Sequence, residues 1–316
     1  MVRKLELEAL ANDLGAVQTL LSRRTPDSDP IGYMQFASRL TEIEQSIHEL
    51  AATPQNKASL AMFFAGEPVQ GSRGVNADFA GRAIGLFQDL VSKQFASTER
   101  GSLAQTESVP IKSNSDMLLT NIARGSVGLI LEEADRNDSL TESELAVAVR
   151  KVATDIVHTT QADATAFEEL IEDVDSRYFA SLGALFKLFD DSHSTVRLVE
   201  SAMDVQLDAP SIHRGRERTD AAIIDDDDGV ELQGRLFLLP ATRKFELALT
   251  GAGETIHGNV SREFASAHLE AIHATDDVVN RDWVVRVMVR TIKRPSKAAL
   301  VKYTLCELVH SVAPAN

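Results

Sequence analysis

The sequence predicts an α+β protein with an N-terminal antiparallel helical hairpin, a mixed α+β middle domain and a C-terminal small five-stranded β-barrel. Three observations lead to this fold class. Apolar residues recur at helical spacing in the first fifty positions, the middle mixes strand-like and helical patterns, and strand-like runs dominate the C-terminal part. The predicted boundaries are 1–52, 53–224 and 229–316, with an acidic linker at 225–228.

Composition narrows the class of protein. A chain of 316 residues is long enough for two modest domains, and its net charge of −15 makes it acidic. Cys306 is the single cysteine, which excludes a disulfide framework and a cysteine-based zinc site. No apolar run approaches the roughly 20 residues that cross a bilayer, and the first residues lack the apolar centre of a signal peptide. We therefore expect a cytoplasmic protein that does not contact a membrane.

The first predicted element is the helical hairpin. Two sets of apolar residues, spaced alternately by three and four positions, flank the helix-breaking stretch RRTPDSDP. Such spacing places each set on one face of a helix, as in an antiparallel coiled coil. The two stripes either pack within the chain or form a dimerising or docking surface. The predicted interaction residues are Leu7, Leu10, Leu14, Val17, Leu21, Phe36, Leu40, Ile43, Ile47 and Leu50.

The middle section predicts strands, a helix, further strands and two longer helices. Strand-like runs occur at 57–74, 102–111 and 126–133, and a helical run separates the first two. Ser139 and Glu142 have the spacing of a capping box ahead of the next helix. A second helical stretch shows a break near Asp175, and strand-like runs follow between residues 195 and 208.

Four consecutive aspartates at 225–228 precede the first predicted barrel strand. Neighbouring residues of an extended chain point in opposite directions, so these carboxylates do not converge as metal ligands must. Their spacing also differs from that of an EF-hand. We interpret the run as a solvated linker, with a weak divalent-cation site as the alternative.

The C-terminal part predicts the barrel. Strand-like runs cover 230–239, 243–250, 254–260, 282–292 and 298–309, and a helical run at 261–274 lies between the third and the fourth. This order suits an OB-like barrel, and equally an SH3-like barrel with an inserted helix. Cys306 is expected in the barrel core.

Familiar catalytic motifs are not evident in the sequence. It has no Walker A loop, no dinucleotide-binding glycine fingerprint and no nucleophile elbow. His268 and His273 lie five residues apart on a predicted helix, which does not suit a shared zinc ion. Glu132, Glu133 and Asp135 follow a strand-like run and are the carboxylates that an unrecognised hydrolase or nuclease site would use. We predict no catalytic residue, no metal and no cofactor.

A basic cluster in the barrel supports an alternative function. Residues 229–316 contain eleven Lys and Arg against nine Asp and Glu, whereas residues 1–228 carry a net charge of −17. Nucleic-acid binding depends on neutralising phosphates, so a nucleic acid could bind only through the barrel. The same patch also suits docking onto an acidic surface. Its residues are Arg286, Arg290, Lys293, Arg294 and Lys297.

Together these observations predict a non-catalytic cytoplasmic interaction or regulatory protein that acts through protein–protein contacts. We expect a protein partner or a homo-oligomer, formed through the hairpin stripes. Two alternatives are a nucleic-acid-binding regulator that uses the barrel, and a hydrolase or nuclease with an unrecognised carboxylate site.

Overall fold

The computed structural model describes residues 2–100, 115–123, 127–134, 141–201, 203–251, 253–265, 281–294 and 297–312, and it has the predicted α+β class. Its contacts divide the chain into two compact units. The first comprises Met1–Val91, Ser115–Val157 and Leu188–Ile212, and the second comprises Ser92–Asn114, His158–Lys187 and His213–Asn316. The hairpin therefore belongs to the first unit and the barrel to the second.

A five-stranded antiparallel sheet forms the centre of the first unit. Its strands are β1 (Ser59–Gly66), β4 (Met117–Ala123), β5 (Val127–Glu133), β6 (Ser194–Glu200) and β7 (Met203–Leu207), in the order β4-β5-β1-β6-β7. The short strands β2 (Val69–Gln70) and β3 (Gly74–Val75) form a separate ribbon after β1. The central strand β1 is buried over its first six residues, as its continuous apolar run SLAMFF requires.

Helices of this unit bury aromatic side chains against the sheet. This unit contains parts of α3 (Ala77–Arg100), α4 (Glu144–Thr160) and the C-terminal end of α6 (Ser176–Asp191), and the aromatic rings come from α3 and α6. The ring of Phe64 lies 5.2 Å from that of Phe79 and 6.4 Å from that of Phe189, measured between centroids. The Oγ of Ser143 caps α4 by accepting a hydrogen bond from the backbone N–H of Ala146 at 3.0 Å. The predicted cap Ser139 lies outside the described residues, as does the predicted strand at 102–111.

Two antiparallel helices form the N-terminal hairpin, α1 (Arg3–Ser22) and α2 (Pro30–Ala52). Asp29 caps α2 because its Oδ1 accepts the N–H of Gly32 at 2.9 Å, and Pro30 occupies the first helical position, where its missing N–H costs nothing. At the opposite end, the guanidinium of Arg3 donates to the carbonyl of Ala51. The predicted hairpin is thus present in the fold.

The second unit combines helices with a closed five-stranded barrel. The helices are α5 (Thr165–Asp173), most of α6 and the C-terminal part of α7 (Ala209–Ala221); the predicted break near Asp175 separates α5 from α6. The barrel strands are β8 (Ile223–Leu239), β9 (Lys244–Leu249), β10 (Thr255–Val260), β11 (Arg281–Arg294) and β12 (Lys297–Ser311). They close in the order β8-β9-β10-β12-β11.

The strand pairing decides between the two predicted barrel types. The third and fifth strands, β10 and β12, pair in parallel, whereas the other neighbours are antiparallel. A helical turn at 262–265 follows β10, and the remainder of the predicted helix, with His268 and His273, lies outside the described residues. Parallel pairing of strands three and five, with a helix begun between strands three and four, is the OB-type arrangement.

The barrel core is apolar and closed. Phe245, Leu247, Val285, Val287 and Leu305 are fully buried in it. Cys306, expected in this core, is instead exposed. Because successive side chains of a strand point to opposite sides, the inward position of its neighbour Leu305 directs Cys306 outward.

The predicted acidic linker at 225–228 is wrong, because the four aspartates lie inside strand β8. Asp225, Asp226 and Asp227 pair with Thr291, Arg290 and Val289 of β11. Alternation along the strand exposes Asp225 and Asp227 and buries Asp226. The buried carboxylate is tolerated because Arg290 neutralises it, with Nε donating to Oδ1 at 2.6 Å, and the N–H of Ser176 donates to Oδ2 at 3.1 Å.

Candidate interaction site

The hairpin leaves much of its apolar surface only half-buried. No residue of α1 is fully buried, and Ile43 is the single fully buried residue of α2. The other nine predicted interaction residues are all of intermediate exposure, since two helices can shield only the sides of a stripe that face each other. The stripes therefore hold the hairpin together without forming a closed core.

The turn end of the hairpin exposes three large apolar side chains. Ile31 and Met34 are 72% and 71% exposed, and Leu20 of α1 is 38% exposed. The turn itself is well ordered by polar contacts, because Arg24 pairs with Asp29 at 3.1 Å and its guanidinium lies 4.6 Å from the ring centre of Phe36. A fixed turn thus presents apolar residues to solvent.

A second stripe, which we call the outer stripe, runs along the exposed face of α2. Its members recur at spacings of three and four, all are exposed, and none is Asp, Glu, Lys or Arg. Exposed helix faces normally carry charged residues, so a face of this length without any is unusual. The outer stripe consists of Ile31, Met34, Ser38, Thr41, Gln45 and His48.

The opposite end of the hairpin is fastened to the sheet. Val2 and Leu5 pack against Ala61, Phe63 and Val199. Lys4 pairs with Asp204 at 3.0 Å, and Arg197 contacts both Asp204 at 2.7 Å and Glu8 at 3.6 Å. Hydrogen bonding from Arg197 outweighs partial burial and lowers the pKa of Asp204 to about 2, so this carboxylate is ionised at neutral pH.

The basic residues of the barrel are neutralised by acidic neighbours. Arg286 pairs with Glu231 at 3.1 Å and with Glu307, and Arg290 is buried against Asp226. Two residues of α5, in the same unit, pair with two further patch residues: Glu172 pairs with Arg294 at 3.1 Å, and Glu168 pairs with Lys297. Lys293 is exposed. The patch residues do lie on one ribbon, but carboxylates engage four of the five.

The carboxylates of the hydrolase alternative have structural partners. Oε2 of Glu133 accepts the N–H of Ala58 at 2.9 Å and the hydroxyl of Ser143 at 2.6 Å, which ties β5 to the start of α4. Burial opposes the ionisation of Glu132, but hydrogen bonds, one of them from Thr120, outweigh it and lower its pKa. Asp135 lies outside the described residues. Both glutamates line a cavity of about 530 Å³ at the base of the hairpin.

Sequence reasoning found the facing stripes of the hairpin but missed the outer stripe. Its signal was available, because six uncharged residues at heptad spacing are visible in α2. Four of the six are polar, however, so a search for apolar periodicity passes over them. Exposure is what distinguishes this face, and exposure is a property of the folded chain.

Comparisons with protein-family models, with curated proteins and with solved structures found no match for this chain. Within the described ranges, no helix is both long and apolar enough to cross a membrane. Nor do three or more His, Cys, Asp or Glu side chains of those ranges converge as metal ligands would.

Proposed function

We propose that this chain is a non-catalytic interaction protein that self-associates through its helical hairpin. The observation that supports it best is the outer stripe of α2, which is exposed, uncharged and begins with two apolar residues that are 72% and 71% exposed. Burying such a stripe against another helix desolvates no Asp, Glu, Lys or Arg and removes the apolar surface of Ile31 and Met34 from water, while its polar residues can form hydrogen bonds across the contact. A second hairpin adds two helices and completes a four-helix bundle.

Charges beside the outer stripe favour an antiparallel pair of hairpins. At about 100° per residue, Glu42 and Glu49 of α2 flank the stripe, and both are exposed. Parallel pairing would set each of these glutamates level with the same glutamate of the other copy. Antiparallel pairing about Thr41, the midpoint of α2, instead places Glu42 level with position 40 and Glu49 level with position 33. Like charges placed opposite each other select against an orientation.

Sedimentation equilibrium of the wild-type chain and of the double variant Ile31→Asp/Met34→Asp tests the proposal. We expect the wild type to form a dimer and the variant to raise the dimer dissociation constant by about tenfold or more, because two carboxylates would be desolvated in each half of the contact. Both positions are exposed, so the fold should survive. Val147→Asp is the matched control, since Val147 is also an exposed apolar residue of a helix, at 46%.

A wild-type chain that remains monomeric across the concentration range would contradict self-association. Orientation is tested by disulfide trapping in a Cys306→Ser background, which removes the exposed thiol. Antiparallel pairing brings position 34 of one copy level with position 48 of the other, since each lies seven residues from Thr41. Copies with Met34→Cys should therefore cross-link to copies with His48→Cys, and not to each other.

A further inference from the structure

A small cavity of about 270 Å³ in the second unit lies between helices and the end of β11. Its apolar wall is formed by Ala164, Phe167 and Ile171 of the α5 region and by Ala221 of α7. Arg218 and Arg294 supply its basic groups. The volume is just below the usual lower limit for ligand pockets, about 300 Å³, which suits a molecule of one ring or one short branched chain.

Arg294 is held in place by two contacts, which use two of the five N–H donors of its guanidinium. Its Nη1 donates to Glu172 at 3.1 Å and its Nη2 to the carbonyl of Ala298 at 3.2 Å. The side chain is only 13% exposed, and its Nε is buried without a hydrogen-bond partner among the described residues. Because Nε has almost no surface open to solvent, an acceptor in the cavity would meet the remaining N–H groups of Nη1 and Nη2 instead.

Arg218 adds positive charge that backbone carbonyls hold in place. Its Nη1 donates to the carbonyls of Thr159 and Gln161, at 2.9 and 2.7 Å, and its Nη2 to that of Ala162 at 3.2 Å. The guanidinium lies 5.8 Å from the ring centre of Phe167. Burial and the nearby charge of Arg214 lower the pKa of Arg218, as expected for a cation whose surroundings do not fully compensate it.

Two carboxylates also line the cavity, and neither neutralises these arginines directly. Glu168 pairs with Lys297. Glu217 projects toward solvent, with 69% of its side chain exposed, and lies 3.6 Å from His213. The cavity therefore combines a buried guanidinium donor with an apolar wall, and its acidic groups are occupied or solvated.

We propose that this cavity binds a small apolar carboxylate, an aryl-substituted or branched-chain acid, whose carboxylate accepts from Nη1 and Nη2 of Arg294 while its apolar part contacts Phe167 and Ile171. Carboxylates form the strongest hydrogen bonds with guanidinium donors, and burial strengthens them. The apolar wall excludes strongly hydrated anions such as free phosphate. This binding site is independent of the hairpin and of the self-association proposed for it.

Isothermal titration of the full chain with 3-phenylpropionate, at concentrations up to about 10 mM, tests the proposal. We expect saturable binding, and binding at least about tenfold weaker for 3-phenylpropylamine, which carries the opposite charge. Ala164→Leu should abolish binding by filling the cavity. Arg294→Lys keeps the charge but removes the paired Nη donors and should weaken binding by about tenfold. Arg286→Lys is the control, since this arginine also makes two contacts, with Glu231 and Glu307, but lies outside the cavity.

Each other outcome overturns the proposal. An absence of saturable binding by 3-phenylpropionate would show that the cavity does not bind such acids. Equal binding of 3-phenylpropylamine would show that the cavity does not select for a carboxylate. Unchanged binding in Ala164→Leu would place the ligand elsewhere. Circular dichroism of each variant checks that the fold is retained, and a second cavity-filling variant, Ala221→Leu, replaces Ala164→Leu if that chain does not fold.

Discussion

The barrel and the hairpin both have amphipathic elements, but they bury the apolar side chains of these elements to different extents. In the barrel, five strands close on themselves, so that Phe245, Leu247 and Val287 have no exposed surface. In the hairpin, two helices contact each other along matching stripes, yet only Ile43 is fully buried. Closure thus completes a core within the barrel, whereas the hairpin needs further helices to complete one.

The comparison shows where to look for contacts between this chain and other molecules. A closed element gains little free energy by binding another molecule through its apolar residues, because these are already removed from water. An open element still gains free energy when its exposed apolar residues are buried in a contact. The exposure of Ile31 and Met34 therefore means more than that of an isolated surface leucine, since it continues into an uncharged helix face.

The largest expected effect comes from breaking the buried ion pair that joins β8 to β11. Asp226→Ala leaves Arg290 buried and uncompensated, and the unfolding free energy of the second unit should fall by about 3–5 kcal/mol. Urea denaturation followed by the fluorescence of Trp283, the single tryptophan, measures it, because Trp283 packs against the barrel core. The double variant Asp226→Leu/Arg290→Met should recover most of the loss. A loss below about 1 kcal/mol in Asp226→Ala would show that the pair is solvated.

The next expected effect compares the barrel and the hairpin through the same Leu→Ala change made in each. Leu247→Ala in the barrel removes a side chain with 0% exposure and should cost about 2–5 kcal/mol. Leu14→Ala in the half-buried stripe of α1 should cost about 1 kcal/mol, because less apolar area is lost and no closed cavity forms. Trp283 fluorescence reports the first, and hydrogen exchange of α1 and α2 reports the second. Equal losses would contradict the distinction between closed and open elements.

The smallest expected effect concerns the base of the hairpin and depends on pH. The folded pKa of Asp204 is about 2, below the ordinary value, so its ion pairs contribute stability above pH 4 that is lost as pH falls toward 2. Protection factors, which correct for the intrinsic pH dependence of hydrogen exchange, should therefore fall in the first turns of α1 over this range. Asp204→Asn should lower these protection factors at neutral pH and leave them with little pH dependence. A carboxyl titration midpoint near 3.9, measured by NMR, would contradict the pairing with Arg197 and Lys4.

Sequence periodicity accounts well for the elements whose neighbours lie close along the chain. The stripes of α1 and α2 and the alternation in β11 can be recognised from the sequence, because each pattern repeats over several turns or residues. The aspartates at 225–228 were misassigned because Asp is a poor strand former when taken alone. Pairing with β11, and neutralisation by Arg290 from 64 residues further along, override that preference.

The contacts that define the candidate sites were harder to predict. Nothing in the sequence links Lys297 to Glu168, 129 residues away, although this pair occupies a residue of the predicted basic patch. The same holds for Arg294, which pairs with Glu172 over a separation of 122 residues. Such contacts follow from tertiary packing, which local pattern does not encode.

The length of β8 also bears on how fast the two elements form. β8 spans 17 residues and β9 only 6, so its N-terminal half pairs with β11 but not with β9. Every hydrogen bond of that ladder joins residues far apart in the chain, whereas the hairpin closes over the short connection at 23–29. Because chain entropy must be lost before distant strands can pair, the barrel should fold more slowly than the hairpin. The hairpin would then be available for association while the barrel is still unfolded.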